Sequence, residues 1–175
     1  KIKEGEAKNF LLATGGVSYP HLGSDGFGFK AVKKMGHTVT KLSPGLTPII
    51  SKDERLDGLK GVAFESVEIL AQEGEELGDL IFTHFGISGP AVLNLSLSLS
   101  EDVGDLKIKL LPEMSFKEID KKLQEIFKGN KSIKNSLSKI FPESLVKVIF
   151  SNFSLNRKAN KLTKKERQKI ARKIN

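Results

Sequence analysis

Two stretches of this sequence combine residue types and spacing suited to holding a cofactor. The first is Phe10-Leu11-Leu12-Ala13-Thr14-Gly15-Gly16-Val17-Ser18-Tyr19-Pro20. A short apolar run stops at small residues, and paired glycines let a backbone approach what a Cβ would block. A second glycine cluster follows, Gly23-Ser24-Asp25-Gly26-Phe27-Gly28, just ahead of a helical pattern. A strand end, a glycine turn and a helix start form an edge suited to an anionic nucleotide. The same glycines also fit a loop that needs positive φ. They do not make the G-x-G-x-x-G dinucleotide fingerprint. Asp25 is placed either to cap the following helix or to bind a ribose hydroxyl.

The second stretch is Phe82-Thr83-His84-Phe85-Gly86-Ile87-Ser88-Gly89-Pro90. The sequence does not fix the catalytic residues; His84 and Thr83 are the candidates it offers. A histidine at a strand end can act as an acid or donate to a cofactor carbonyl, or it can be satisfied by backbone. Ser88 reads as a helix cap, with Pro90 in the first turn, because no base stands near it in sequence.

Other chemistries lack their residues. The chain has no cysteine, so thiolate chemistry and disulfides are excluded, which fits a cytoplasmic protein. There is no G-x-x-x-x-G-K-[ST] loop, no H-E-x-x-H and no G-x-S-x-G, and the three histidines are scattered. No metal site is expected. No apolar run approaches the roughly 18 residues of a membrane span.

Charge divides the chain. Residues 1–106 carry 10 Lys and Arg against 15 Asp and Glu, whereas residues 107–175 carry 19 against 6. The basic part reads first as a solvated lysine-rich helical surface, because its lysines spread around the helices with little arginine and few aromatics. Nucleic-acid binding ranks below that.

These residues need elements to position them. The hydrophobic pattern predicts strands at 8–14, 37–42, 46–51, 62–72, 77–82 and 105–111. It predicts a bulge at Glu65-Ser66 and a hairpin turn over 73–76. Helices are predicted from Phe27 to Met35, stopped by Gly36, and over 89–98. From Ser115 the texture becomes helical, with capping boxes at Ser115-x-x-Glu118 and Thr163-x-x-Glu166. Lys1 to Lys8 reads as a strand and turn in mid-sheet, and the last residues as an unfinished helix, so a fragment of a longer protein is expected.

In order and spacing, the two stretches together with Met35-Gly36-His37-Thr38 and Pro44-x-Leu46-x-Pro48 resemble the BaiN-like (YhiN-like) family of bacterial NAD(P)/FAD-dependent oxidoreductases. The resemblance implies an α+β chain with three parts. Residues 1–43 would be a residual strand-helix segment of a Rossmann-like FAD-binding domain. Residues 44–112 would be a β-barrel-like insert, and residues 113–175 a helical one. It implies that Ala13, Thr14, Gly15, Gly16, Ser18, Tyr19, Gly23 and Ser24 lie near FAD in the intact protein, with Thr83 and His84 toward the reactive ring. The resemblance admits NAD(P)H as electron donor, and the sequence does not choose between NADH, NADPH and neither. The family loop reads Gly-Ser-Thr-Gly-Asp-Gly, so Asp25 stands two places from the family's acidic residue. The glycine-rich segments that hold the flavin pyrophosphate and close its site are not in this sequence. The chain alone is therefore expected to bind no FAD and to be inactive, with the rest of the flavin domain as its partner. The insert would shape or cover the substrate side of the flavin. The alternative is a non-enzymatic barrel with a basic helical module that binds nucleic acid.

Overall fold

The computed structural model describes residues 7–100 and 102–175. Most of the strand expected at Lys1–Lys8 thus lies outside the described residues. The chain divides into two compact units, Lys1–Ser43 and Pro44–Asn175.

In the first unit the one α-helix among the described residues is α1 (Phe27–Lys34), preceded by a 3₁₀ turn over Pro20–Leu22. Asp25 accepts the amide of Phe27 at 3.0 Å, as a helix-start residue should. Gly36 takes the left-handed conformation expected of a helix stop. The strands predicted over 8–14 and 37–42 are not formed. A strand needs a neighbour to take its amides and carbonyls, and no described residue pairs with either segment. Phe10 and Leu11 accordingly stand 78% and 87% exposed.

The second unit is built on a curled, five-stranded antiparallel half-barrel. Its strands are β1 (Ile49–Ile50), β2 (Ala63–Leu70), β3 (Glu75–Phe82), β4 (Gly86–Ser88) and β5 (Lys107–Lys109), in the order β1-β4-β3-β2-β5. The predicted bulge is present: the β2–β3 register shifts between Phe64 and Val67, and Ser66 has φ 54°. The hairpin turn falls two residues early, at Ala71–Gly74, closed by the Ala71 amide on the Gly74 carbonyl. β1 is shorter than predicted because Pro48 lacks an amide for the ladder. β5 is shortened too. Past it, the Leu110 amide leaves the sheet for the carbonyl of Ile174.

Ser88 departs from its expected role. It pairs with Ile81 in the β3–β4 ladder, and Gly89 stands at the cap of α2 (Pro90–Leu95). This helix is shorter than the 89–98 predicted. Buried Ser96 ends it, donating to the Leu93 carbonyl and accepting the Thr47 amide.

α2 lies against β3, where Gly78 faces Ala91. The helices α3 (Phe116–Ile126), α4 (Ile133–Leu137), α5 (Glu143–Ile149) and α6 (Lys164–Ile174) complete the unit. Both predicted capping boxes are formed. Val67, Ile69, Leu80 and Phe82 from the sheet join Leu123, Leu145, Ile170 and Ile174 from the helices in one buried core.

The tightest point is the β4–α2 corner. A Cβ on Gly86 would overlap the Ile49 carbonyl, and one on Gly89 (φ 108°) would sit 2.7 Å from the Asp79 carbonyl oxygen. Gly61 also has positive φ, but nothing lies within 4 Å of its Cβ position. Gly61→Ala should therefore cost only the backbone strain, about 1–2 kcal/mol. Gly89→Ala adds a backbone collision and should cost about 2–4 kcal/mol. Urea unfolding of the two variants checks the order.

Candidate functional site

Three features of the chain are candidate sites. In the first unit, the loop from Leu12 to Val17 folds onto the start of α1. The Gly26 amide bonds the Gly16 carbonyl at 3.1 Å. A Cβ on Gly26 would press on Val17, and one on Gly28 would overlap the Thr14 hydroxyl. The Ser24 hydroxyl approaches Gly15, its Oγ lying 3.1 Å from where a Cβ would be. The structure thus brings Ala13, Thr14, Gly15, Gly16, Ser18, Tyr19, Gly23 and Ser24 into one loop cluster.

The cluster divides its glycines by task. Gly15, Gly26 and Gly28 serve loop-to-loop packing. Gly16 and Gly23 have nothing within 4 Å of their Cβ positions and present bare backbone. Tyr19 and His21 stand edge to face at its rim, both exposed. At these two glycines the main chain is open to close approach by another group. They do not form a phosphate cradle.

The second feature, Thr83 and His84, belongs to the other unit, at the tight turn between β3 and β4. The Thr83 amide and hydroxyl both donate to the Gly86 carbonyl, at 2.8 and 3.2 Å. The Ser51 amide bonds the Phe85 carbonyl. Thr83 is therefore a lock on the turn. His84 is exposed at its tip, its ring edge to face with Phe85 at 4.7 Å.

The third feature lies where barrel and helices meet in the second unit. A cleft of about 490 Å³ has an apolar floor that includes Leu59, Phe82, Ile108 and Leu145, and carries Arg55 and Asp53 as an ion pair. A second groove, of about 460 Å³, runs along α6 and is lined by Phe153, Ser154, Arg157 and Lys169 among others. Asn152 and Lys173 line both, so the two meet there.

The charges around the groove are organised. Arg157 pairs with Glu166 at 2.6 Å and also donates to the Lys161 carbonyl, which ties the loop after α5 to α6. Glu166 closes the capping box as well, and these bonds hold its carboxyl down at about 2. The largest contribution is the Thr163 amide. Arg167, a basic side chain of the kind a nucleic-acid surface would use, is instead mostly buried and doubly bonded to Asp120 of α3. That pairing holds the Asp120 carboxyl below its usual range.

Asn152, Lys169 and Lys173 are not recognisable as a group from the sequence. The one local signal for them is the basic bias after residue 107. Which lysines share a groove depends on how α5 and α6 pack.

The match to protein-family models decides the chain's kinship. Residues 43–175 match the HI0933-like protein barrel and H2TH domain. The chain belongs to this HI0933-like family. The expected resemblance, the mixed α/β class and the barrel with a helical part are all borne out. Among curated relatives, the ribosomal RNA dihydrouridine synthase of Escherichia coli is 37% identical over 143 residues, covering 79% of this chain and 35% of that protein. The Haemophilus influenzae protein of the same name is 34% identical, covering 82% and 36%. The 3-dehydro-bile acid delta(4,6)-reductase of Clostridium scindens is 28% identical, covering 66% and 30%. The chain thus spans about a third of the length of the curated relatives it matches. The HI0933-like family is of the FAD-dependent oxidoreductase type, and no helix among the described residues is long and apolar enough to cross a membrane.

The Glu166 bonds yield a pH prediction. A carboxyl whose folded value lies below its usual 4.5 contributes stability above that pH and loses it as pH falls toward about 2. Melting temperatures from neutral pH to about pH 2 should show wild type ahead of Glu166→Gln at neutral pH. The gap should close through the acid range.

Proposed function

We propose that this chain is the barrel-and-helical part, with one cofactor-facing segment, of an FAD-dependent enzyme that reduces a uridine in ribosomal RNA. The observation that carries this reading is the 37% identity with the Escherichia coli ribosomal RNA dihydrouridine synthase over most of the chain. Dihydrouridine is uridine with two added hydrogens, so the reaction is a two-electron reduction. Bound FAD supplies that chemistry, and a reduced nicotinamide is the proposed source of its electrons.

The chain's own residues supply position. Ala13, Thr14, Gly15, Gly16, Ser18, Tyr19, Gly23 and Ser24 form the flavin wall, with Gly16 and Gly23 nearest the cofactor. Thr83 shapes the turn that presents His84 toward the substrate side. The exposed Phe10 and Leu11 suit docking against the rest of a flavin domain. In this reading 1–43 belongs to that domain, and 44–112 and 113–175 are the barrel and helical inserts. The family match over residues 43–175 counts against a non-enzymatic nucleic-acid module. RNA enters here as an enzyme's substrate.

Deleting the gene that encodes this chain from its host, then digesting ribosomal RNA to nucleosides for mass spectrometry, tests the reading. Loss of a dihydrouridine, restored by the intact gene, is expected. An unchanged dihydrouridine content would contradict it. The purified 175-residue chain should show no flavin absorbance, and a stoichiometric yellow chain would overturn the division of the cofactor site.

A further inference from the structure

The groove along α6 has a chemistry of its own. From Ser151 to Asn175 the chain carries nine Lys and Arg and a single carboxylate side chain, Glu166. Arg157 takes that carboxylate, and Arg167 takes Asp120. Lys158, Lys161, Lys165, Lys169, Arg172 and Lys173 have no carboxylate within ion-pair distance among the described residues. The positive charge is therefore in excess where the groove lies.

Two of these side chains line the groove, one turn apart on α6: Lys169 and Lys173. Lys173 is held in place, its Nζ donating to the Ile149 carbonyl at the end of α5 at 2.9 Å. An ammonium has three donors, so two remain for a ligand. The same groove is lined by Asn152, Ser154 and the half-buried Phe153, whose ring is set edge to face on Phe150 at 6.0 Å. Spaced cations beside one aromatic ring and neutral donors suit a single nucleic-acid strand, with cations on phosphates and the ring under a base or ribose. A solvated lysine surface would need neither a groove nor an anchored ammonium.

We propose that this groove grips a single-stranded segment of the RNA substrate, Lys169 and Lys173 contacting successive phosphates and Phe153 supporting a base. The proposal rests on the reading of RNA as substrate and names where this chain holds it. Arg157 acts as a positioning residue, fixing the groove wall through Glu166.

The test uses the 175-residue chain and a fluorescein-labelled single-stranded RNA oligonucleotide, followed by anisotropy between about 50 and 200 mM salt. Lys169→Glu/Lys173→Glu is compared with Lys117→Glu/Lys121→Glu, an equal charge change on the exposed side of α3. The groove variant should bind roughly tenfold or more weakly, and its salt slope should fall by about 1.4, two single-strand phosphate contacts. The α3 variant should change less than about threefold. Lys169→Glu alone, whose side chain makes no hydrogen bond or ion pair among the described residues, serves if the double variant fails to fold. It should lose about half of that slope. Equal loss in both double variants, unchanged binding by the groove variant, or no binding at the lowest salt would overturn the proposal. So would displacement of the RNA by polyglutamate as effective as by unlabelled RNA. The dihydrouridine assay is independent: RNA held in this groove with no change in ribosomal dihydrouridine would remove the enzyme reading and leave the groove standing.

Discussion

The second unit depends on the approach of β4 and the start of α2 to the backbone of β1 and β3. Gly86 and Gly89 leave no room for a Cβ there. Because β4 can lie that close, it pairs with β1 on one side and β3 on the other. α2 then drops onto Gly78 and buries Ala91, Val92 and Leu95. The same corner sets the turn that carries Thr83 and His84. A motif that invites a catalytic reading is thus first a packing device, and only His84 at its tip stands outside that role.

Barrel and helices are joined by more than apolar contact. The Leu110 amide bonds the Ile174 carbonyl, so β5 hands its chain direction to the end of α6. Ile170 and Ile174 bury against the shared core, and Lys173 reaches the last carbonyl of α5. The groove is the outer surface of this junction. Its geometry follows from the stability of the core beneath it, which gives the proposed RNA contacts a rigid base.

How much was legible in the sequence varied by element for physical reasons. The capping boxes at Ser115 and Thr163 were readable because a cap is local: acceptor and donor lie three residues apart. The bulge at Glu65-Ser66 showed as a slip in alternation. The strands at 8–14 and 37–42 were misread because an apolar or β-branched run specifies a strand only when a partner strand exists. Ser88 was misread because a serine before Gly-Pro has the composition of a cap, while its ladder partner Ile81 is visible only in the folded sheet. The flavin-wall candidates share one loop because Ser24 and the start of α1 fold back on residues 14–17, a contact no local pattern announces. The lysines of α6 were counted correctly, but Arg167 could not be told from Lys169 without knowing that Asp120 faces it.

The central claim is the proposed hold of the α6 groove on RNA. Photo-crosslinking to RNA containing 4-thiouridine, with the adducts mapped by peptide mass spectrometry, tests it most directly. Adducts concentrated in the peptides around Asn152–Ser154 and Lys169–Lys173 are expected. Adducts confined to the β2–β3 hairpin or to the exposed face of α3 would contradict it.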